Sequence, residues 1–237
     1  MVGLGIITVV GVYLLASNPN TPANSYTPNL KPAQFVSVID NPYFTLTPGD
    51  LLEYTSQTED GLERVLMNVT SDTKTILGIQ ATVVHDRVYL NDALIEDTYD
   101  WYAQDKTGNV WYLGEGTKEL ADGQVTSTRG SWEAGVDGAE AGIIMLAEPK
   151  IGDEYRQEYY AGEAEDMAQV LALDETVEIG LGTYTGCLKT LDWTPLEAKI
   201  DEHKFYCPAV GGLALELGVY SNERLELINK SRTGYDE

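Results

Sequence analysis

Positive charge is scarce in this sequence. Lysine and arginine together number 15 against 38 aspartates and glutamates, giving a formal net charge of −23. A nucleic-acid-binding surface needs basic side chains to displace phosphate counterions, so the balance argues against a nucleic-acid partner. It argues equally against adhesion to an anionic membrane surface. Cysteine and histidine are scarcer still, with two of each. Two cysteines and two distant histidines do not give the paired ligand spacing of a zinc site, and no metal or cofactor is expected. A phosphate-cradling glycine loop, a dinucleotide fingerprint and a nucleophile elbow are all missing. No residue is assigned a catalytic role; His85 and His203 read as structural strand histidines. No repeat with a period of about 20 to 50 residues is present.

What is there describes a packed domain. Apolar residues make up 43% of the 237, and the aromatics (15 Tyr, 4 Trp, 3 Phe) are too many for a disordered chain. Residues 1–17 carry no charged side chain. Their apolar run is about the length of a signal peptide and short for a membrane span of ~20 residues. The expectation is a cleaved signal or a retained anchor over residues 2–16, with the membrane touched only there. A lipidated cysteine is excluded, because no Cys follows the run. Residues 18–34 hold Pro19, Pro22, Pro28 and Pro32, four of the nine prolines, and read as an extended linker. Residues 35–237 then form one β domain, read as extracytoplasmic (periplasmic, secreted or at the cell surface) and monomeric.

In an exported chain an even cysteine count points to a disulfide. Residues 184–193 and 202–207 read as two strands of a hairpin. Setting Cys187 opposite Cys207 also pairs Lys189 with Phe205 and Leu191 with His203. Closing a loop of ~20 residues stabilises by about 3 kcal/mol on the chain-entropy account. Two buried thiols are the alternative.

Elsewhere, β-branched and aromatic runs alternate with turn signals: Glu59-Asp60-Gly61, Asn91-Asp92, 105–109 and Asp122-Gly123. The pattern gives about twelve short strands, hence a mainly β fold: an antiparallel curved sheet or (half-)barrel with little helix beyond the N-terminal segment. Residues 163–173 are ambiguous, with Ala164, Met167, Ala168 and Leu171 at helical spacing, and a turn or one helical turn at 163–167 followed by strand is expected.

The stretches Gly182-Thr183-Tyr184…Cys187-Leu188-Lys189 and Lys204-Phe205-Tyr206-Cys207-Pro208…Gly211-Gly212-Leu213 resemble the tail of bacterial exported β proteins, half-barrels of the lipoprotein-carrier type. Tyr99-Asp100-Trp101-Tyr102-Ala103-Gln104-Asp105 and Gly108-Asn109-Val110-Trp111-Tyr112 resemble a bacterial secreted family of unassigned activity. The resemblance implies a compartment and a curved sheet around an apolar cavity, and no catalytic residue.

Several places carry candidate chemistry. Trp101, Tyr102, Trp111 and Tyr112 flank one turn; each adjacent pair points to opposite faces, so the set is either a ligand platform or cross-strand packing. The glycine-rich loop 130–142 contains Trp132 and is either a lid near the cavity mouth or a structural crossover. Tyr159 and Tyr160 precede an acidic stretch. The leading functional reading is a non-enzymatic domain that binds an apolar or amphiphilic small molecule, with Trp101, Tyr102, Trp111, Tyr112, Trp132, Tyr159 and Tyr160 lining its cavity. A glycosidase-like hydrolase using Glu133, Asp137, Glu163 and Asp166 is one alternative. A non-catalytic cell-surface structural domain is the other.

Overall fold

The computed structural model describes residues 26–232. The expected signal or anchor at 1–17 and residues 18–25 of the linker lie outside the described residues. The described residues form one short 3-10 turn, Pro32–Gln34, and eighteen strands. These are β1 (Phe35–Val36), β2 (Ile39–Asn41), β3 (Phe44–Leu46), β4 (Asp50–Gln57), β5 (Leu62–Ile76), β6 (Ile79–Leu90), β7 (Ala93–Asp105), β8 (Val110–Ala121) and β9 (Gln124–Ser127). Then follow β10 (Trp132–Glu133), β11 (Glu140–Met145), β12 (Glu154–Arg156), β13 (Glu158–Tyr159), β14 (Met167–Ile179), β15 (Gly182–Trp193), β16 (Glu202–Cys207), β17 (Gly212–Gly218) and β18 (Arg224–Arg232).

The expected antiparallel β architecture is present as one large sheet, ordered β12-β14-β15-β16-β17-β18-β4-β5-β6-β7-β8-β11-β13, that curls into a nearly closed barrel. The chain itself makes the closure. β12 pairs with β14 at one end of the order and β13 pairs with β11 at the other, with Gln157 alone between them. The Gln157 amide, in turn, donates to the Asp166 carbonyl. Gly142 on β11 makes room for this passage, because a Cβ there would run into the Gln157 carbonyl and the Glu158 amide.

The strands are longer than the sequence alone indicated. Turn-like polar stretches lie inside them as register irregularities, between Val69 and Thr73 for example. A ladder continues through polar residues when one face is in water, so polarity there marks a face and not a strand end. Residues 110–121 likewise form one strand, bent at Gly114 (φ 134°), where β10 packs so closely that a Cβ would strike the Trp132 carbonyl. The ambiguous segment resolves as turn then strand and not as helix, with the turn at 161–163, earlier than expected, a bridge at Ala164 and a strand that starts at Met167.

Alternation sorts the residues of each strand between the barrel interior and its outer surface. On β4, Asp50, Leu52, Tyr54 and Ser56 are buried while the residues between them are partly exposed. One end of the barrel, here the base, is plugged by the β2–β3 hairpin, whose Ile39, Phe44 and Leu46 join the core. Phe44 meets Tyr102 edge-on at 5.2 Å, and Asn41 Nδ2 donates to the carbonyls of Gly108 and Leu146. The opposite end, the mouth, is formed by the turns at 58–61 and 91–92 and the loops at 194–201 and 219–223. Tyr26 donates to the Ala141 carbonyl and meets Tyr159 edge-on, so the end of the proline-rich segment lies against the barrel wall.

The Cys187–Cys207 disulfide is formed. It sits in the expected β15–β16 register, with Lys189 opposite Phe205 and Leu191 opposite His203. Both cysteines are fully buried. A buried disulfide fits an oxidising, extracytoplasmic setting. Among the described residues, no helix is long and apolar enough to cross a membrane.

Candidate functional site

The candidate aromatic residues do not converge on one surface. Tyr102 and Tyr112 stack across β7 and β8 at 4.8 Å inside the barrel, and both are buried. Trp132 joins them edge-on to Tyr112 at 5.3 Å, its indole N–H donating to Glu158 Oε2. Trp101 lies on the outside beneath the Lys74 ammonium, 3.2 Å from the ring centroid. Trp111 is covered by Phe35 and donates to Asp105. Tyr159 packs under Arg156, and Tyr160 forms a bridge with Ala164. The glycine-rich loop runs along β8 toward the base, with Glu133 paired to Lys74 at 2.7 Å; this places it away from the mouth.

Nor do the four acidic candidates share a cleft. Glu133 is engaged with Lys74, Asp137 sits in an exposed turn with φ 51°, and Glu163 faces Arg129 at 3.5 Å. Asp166 alone points inward and is 4% exposed.

What sequence reasoning missed is the chemistry of the interior. Strand alternation turns Asp86, Asp100, Glu115, Asp192, Glu202 and Glu216 into the barrel, where Glu158 and Asp166 join them. Two groups result. In the first, Asp100 and Glu115 oppose each other across β7 and β8. The Tyr112 hydroxyl lies 2.6 Å from Asp100 Oδ1 and 2.9 Å from Glu115 Oε2. A phenol has one proton and can donate to only one of them. The other contact becomes a full hydrogen bond when a carboxyl supplies the proton, so the geometry favours a neutral carboxyl in the trio. The electrostatics agree. Burial raises Asp100 to about 7, its Tyr112 hydrogen bond notwithstanding, and holds Glu115 well above the usual range, with Asp100 adding to it. Asp86 is likewise raised by burial and by Asp100, and its Oδ1 has no hydrogen-bond partner among the described residues.

The second group surrounds Lys204, which is 1% exposed. Its ammonium lies 3.5 Å from Asp192, 3.4 Å from Glu202 and 3.7 Å from Glu216. Those carboxylates overcome the burial penalty and hold Lys204 charged. One cation against three carboxylates leaves an excess, and burial raises Glu202 to about 7 even beside Lys204. Asp192 also accepts from Thr190 and from the Gln157 side chain at the barrel closure.

Access is from the mouth. A cleft of about 840 Å³ opens there, lined by Glu59, Asp60, Glu63, Asp201 and Glu223, by Lys199, and by the apolar Leu90, Ile95, Ile200 and Tyr220. Directly below it lies a void of about 10 Å³, lined by Glu63, Glu223, Ser56 and Glu216. Glu63 and Glu223 thus line both spaces, and Glu216 links the void to the Lys204 group. Glu63 is 4% exposed, yet among the described residues its carboxylate has neither a hydrogen-bond partner nor an ion-pair partner. Burial, then Glu223 and Glu96, raise it to about 7. Among the described residues, no group of three or more His, Cys, Asp or Glu side chains is arranged to hold a metal ion. In comparisons with known proteins, the chain matches no family model, no curated protein and no solved structure.

Proposed function

We propose that this chain is an extracytoplasmic binding domain that takes a small amphiphilic molecule into the mouth of its barrel. The cleft at the mouth carries the reading. Its volume of about 840 Å³ lies within the range of roughly 300–1,000 Å³ usual for ligand sites. Polar and apolar side chains share its wall, the pattern that orients a ligand having one wet end and one greasy end. The interior below is filled by tyrosines, carboxyls and aliphatic side chains, so the ligand sits at the mouth and not in an apolar barrel lumen. Export is supported by the disulfide and by the uncharged N-terminal stretch.

The test is chemical-shift mapping of the labelled domain against a panel of short amphiphiles. Binding at the mouth shifts backbone resonances in 58–63, 194–201 and 219–223 and leaves those of the β2–β3 hairpin in place. Tyr220→Ala, at an exposed position on the cleft wall, weakens that binding. Shifts confined to the base or the outer surface, or none with any member of the panel, would overturn the reading.

A further inference from the structure

We infer that the ligand of the mouth cleft carries a positive charge: it is an organic ammonium whose head seats on Glu63 and whose apolar body lies along Ile95 and Tyr220. This rests on the cleft being the binding site and specifies what it selects.

Two observations point to a cation. The first is the lining, in which five carboxylates face one ammonium, that of Lys199. The second is Glu63 itself. Glu63 is 4% exposed as a residue, and its carboxyl faces two spaces, the cleft above and the small void below, yet among the described residues it has no donor and no cation of its own. A buried carboxylate without a partner is costly unless it is neutralised or receives a donor. The charged neighbours aggravate this: Glu223 from the β17–β18 loop, Glu96 from β7 and Glu216 from β17 all repel its ionised form. The side chains beside it in the void, Ser56 and Thr58, are neutral. Lys204 is fully engaged with its own three carboxylates, and Lys199 belongs to the outer loop. An incoming ammonium supplies what the site lacks, with three N–H donors for Glu63, Glu223 and a hydroxyl.

An ammonium suits this geometry better than a metal ion. Among the described residues no three acidic side chains are arranged for coordination, and Leu90, Ile95, Ile200 and Tyr220 give an apolar body somewhere to lie. A metal ion has no use for that wall. Because burial raises Glu63 to about 7, an ammonium binds better once the carboxyl has ionised, so affinity increases from pH 5.5 to pH 8.

The experiment titrates the protein with n-hexylamine, n-hexanol, sodium hexanoate and calcium chloride, read by calorimetry and by chemical shifts at the mouth. Hexylamine is expected to bind at least tenfold more tightly than hexanol, more tightly at pH 8 than at pH 5.5, and more weakly as salt is raised. Glu63→Gln removes the charge at nearly constant volume and lowers hexylamine affinity at least tenfold. Glu223→Gln, on a surface loop where folding is not at stake, lowers it several-fold. Equal binding of hexanol and hexylamine, unaffected by either variant, overturns the cation while leaving the cleft as a binding site. Calcium shifting the mouth residues where hexylamine does not also overturns it. Failure of every probe to shift the mouth would remove the cleft itself.

Discussion

Asp100 and Glu115 oppose each other on the buried faces of β7 and β8, two carboxyls directly across a ladder. A like-charged pair in that position is destabilising when both members are ionised. The barrel keeps it by placing the Tyr112 hydroxyl within reach of both and by holding a proton in the trio.

That proton makes stability depend on pH. Folded-state values of about 7 for Glu63, Asp100 and Glu202 and about 6 for Asp166 lie above those of an unfolded chain. The folded state therefore holds protons that the unfolded state has released, and this contribution is lost progressively as pH rises from about 4, the range of the unfolded carboxyls, through the folded values of 6 to 7. Urea midpoints are expected to be higher at pH 5 than at pH 8. The difference is on the order of a few kcal/mol, since a tenfold weaker acid in the folded state corresponds to about 1.4 kcal/mol. Asp100→Asn, which leaves the surface charge otherwise intact, flattens the slope. A midpoint that is constant or rises toward pH 8 would contradict the shared proton.

Lys204 stands between three carboxylates in the second buried group. Lys204→Met leaves them uncompensated and is expected to cost about 3–5 kcal/mol at neutral pH. The cost shrinks at pH 5, where the carboxyls take up protons instead. Denaturant melts at the two pH values check this; an equal loss at both would mean that Lys204 acts through packing alone.

Gly142→Ala tests the barrel closure. A methyl group there meets the backbone of Gln157 and Glu158, so β13 must shift away from β11. A loss of about 2 kcal/mol or more is expected, at the upper end for overpacking. Gly212→Ala is the control, since an added Cβ there finds nothing within 4 Å. Hydrogen exchange localises the effect, with faster exchange at 140–142 and 157–159 in Gly142→Ala alone.

For the disulfide, intact mass under non-reducing conditions is two protons below the reduced mass. Replacing both Cys187 and Cys207 by Ala is expected to cost about 2–5 kcal/mol, measured as a fall in thermal midpoint. Two alkylatable thiols in the folded protein would refute the bond.

The β15–β16 hairpin is legible in the sequence down to its register, because cross-strand pairing is local and the two cysteines fix which residues face each other. The barrel departs from expectation most in strand length: polar residues such as those between Val69 and Thr73 look like boundaries where they mark an outer face. Adjacency alone splits the aromatic hairpin's pairs between two faces. Which face holds the tyrosines depends on Phe44 and Trp132, both distant in the chain. The acidic interior leaves no signal, since a buried glutamate and a solvated one look alike in a chain with 38 acidic residues.

Composition and alternation by themselves determined the antiparallel β class and the disulfide, because period-two patterning and hairpin pairing are properties of short stretches. The tertiary structure alone decided where the charge went. Closure through Gln157 brings β12 and β13 to opposite ends of one sheet and fixes the interior face of every strand between them. That choice buries Asp86, Asp100, Glu115, Glu202 and Glu216 while leaving Glu133, Asp137 and Glu163 outside. It also leaves Glu63 without a partner among the described residues at the floor of the mouth, a relationship among strands distant in sequence that no local pattern encodes.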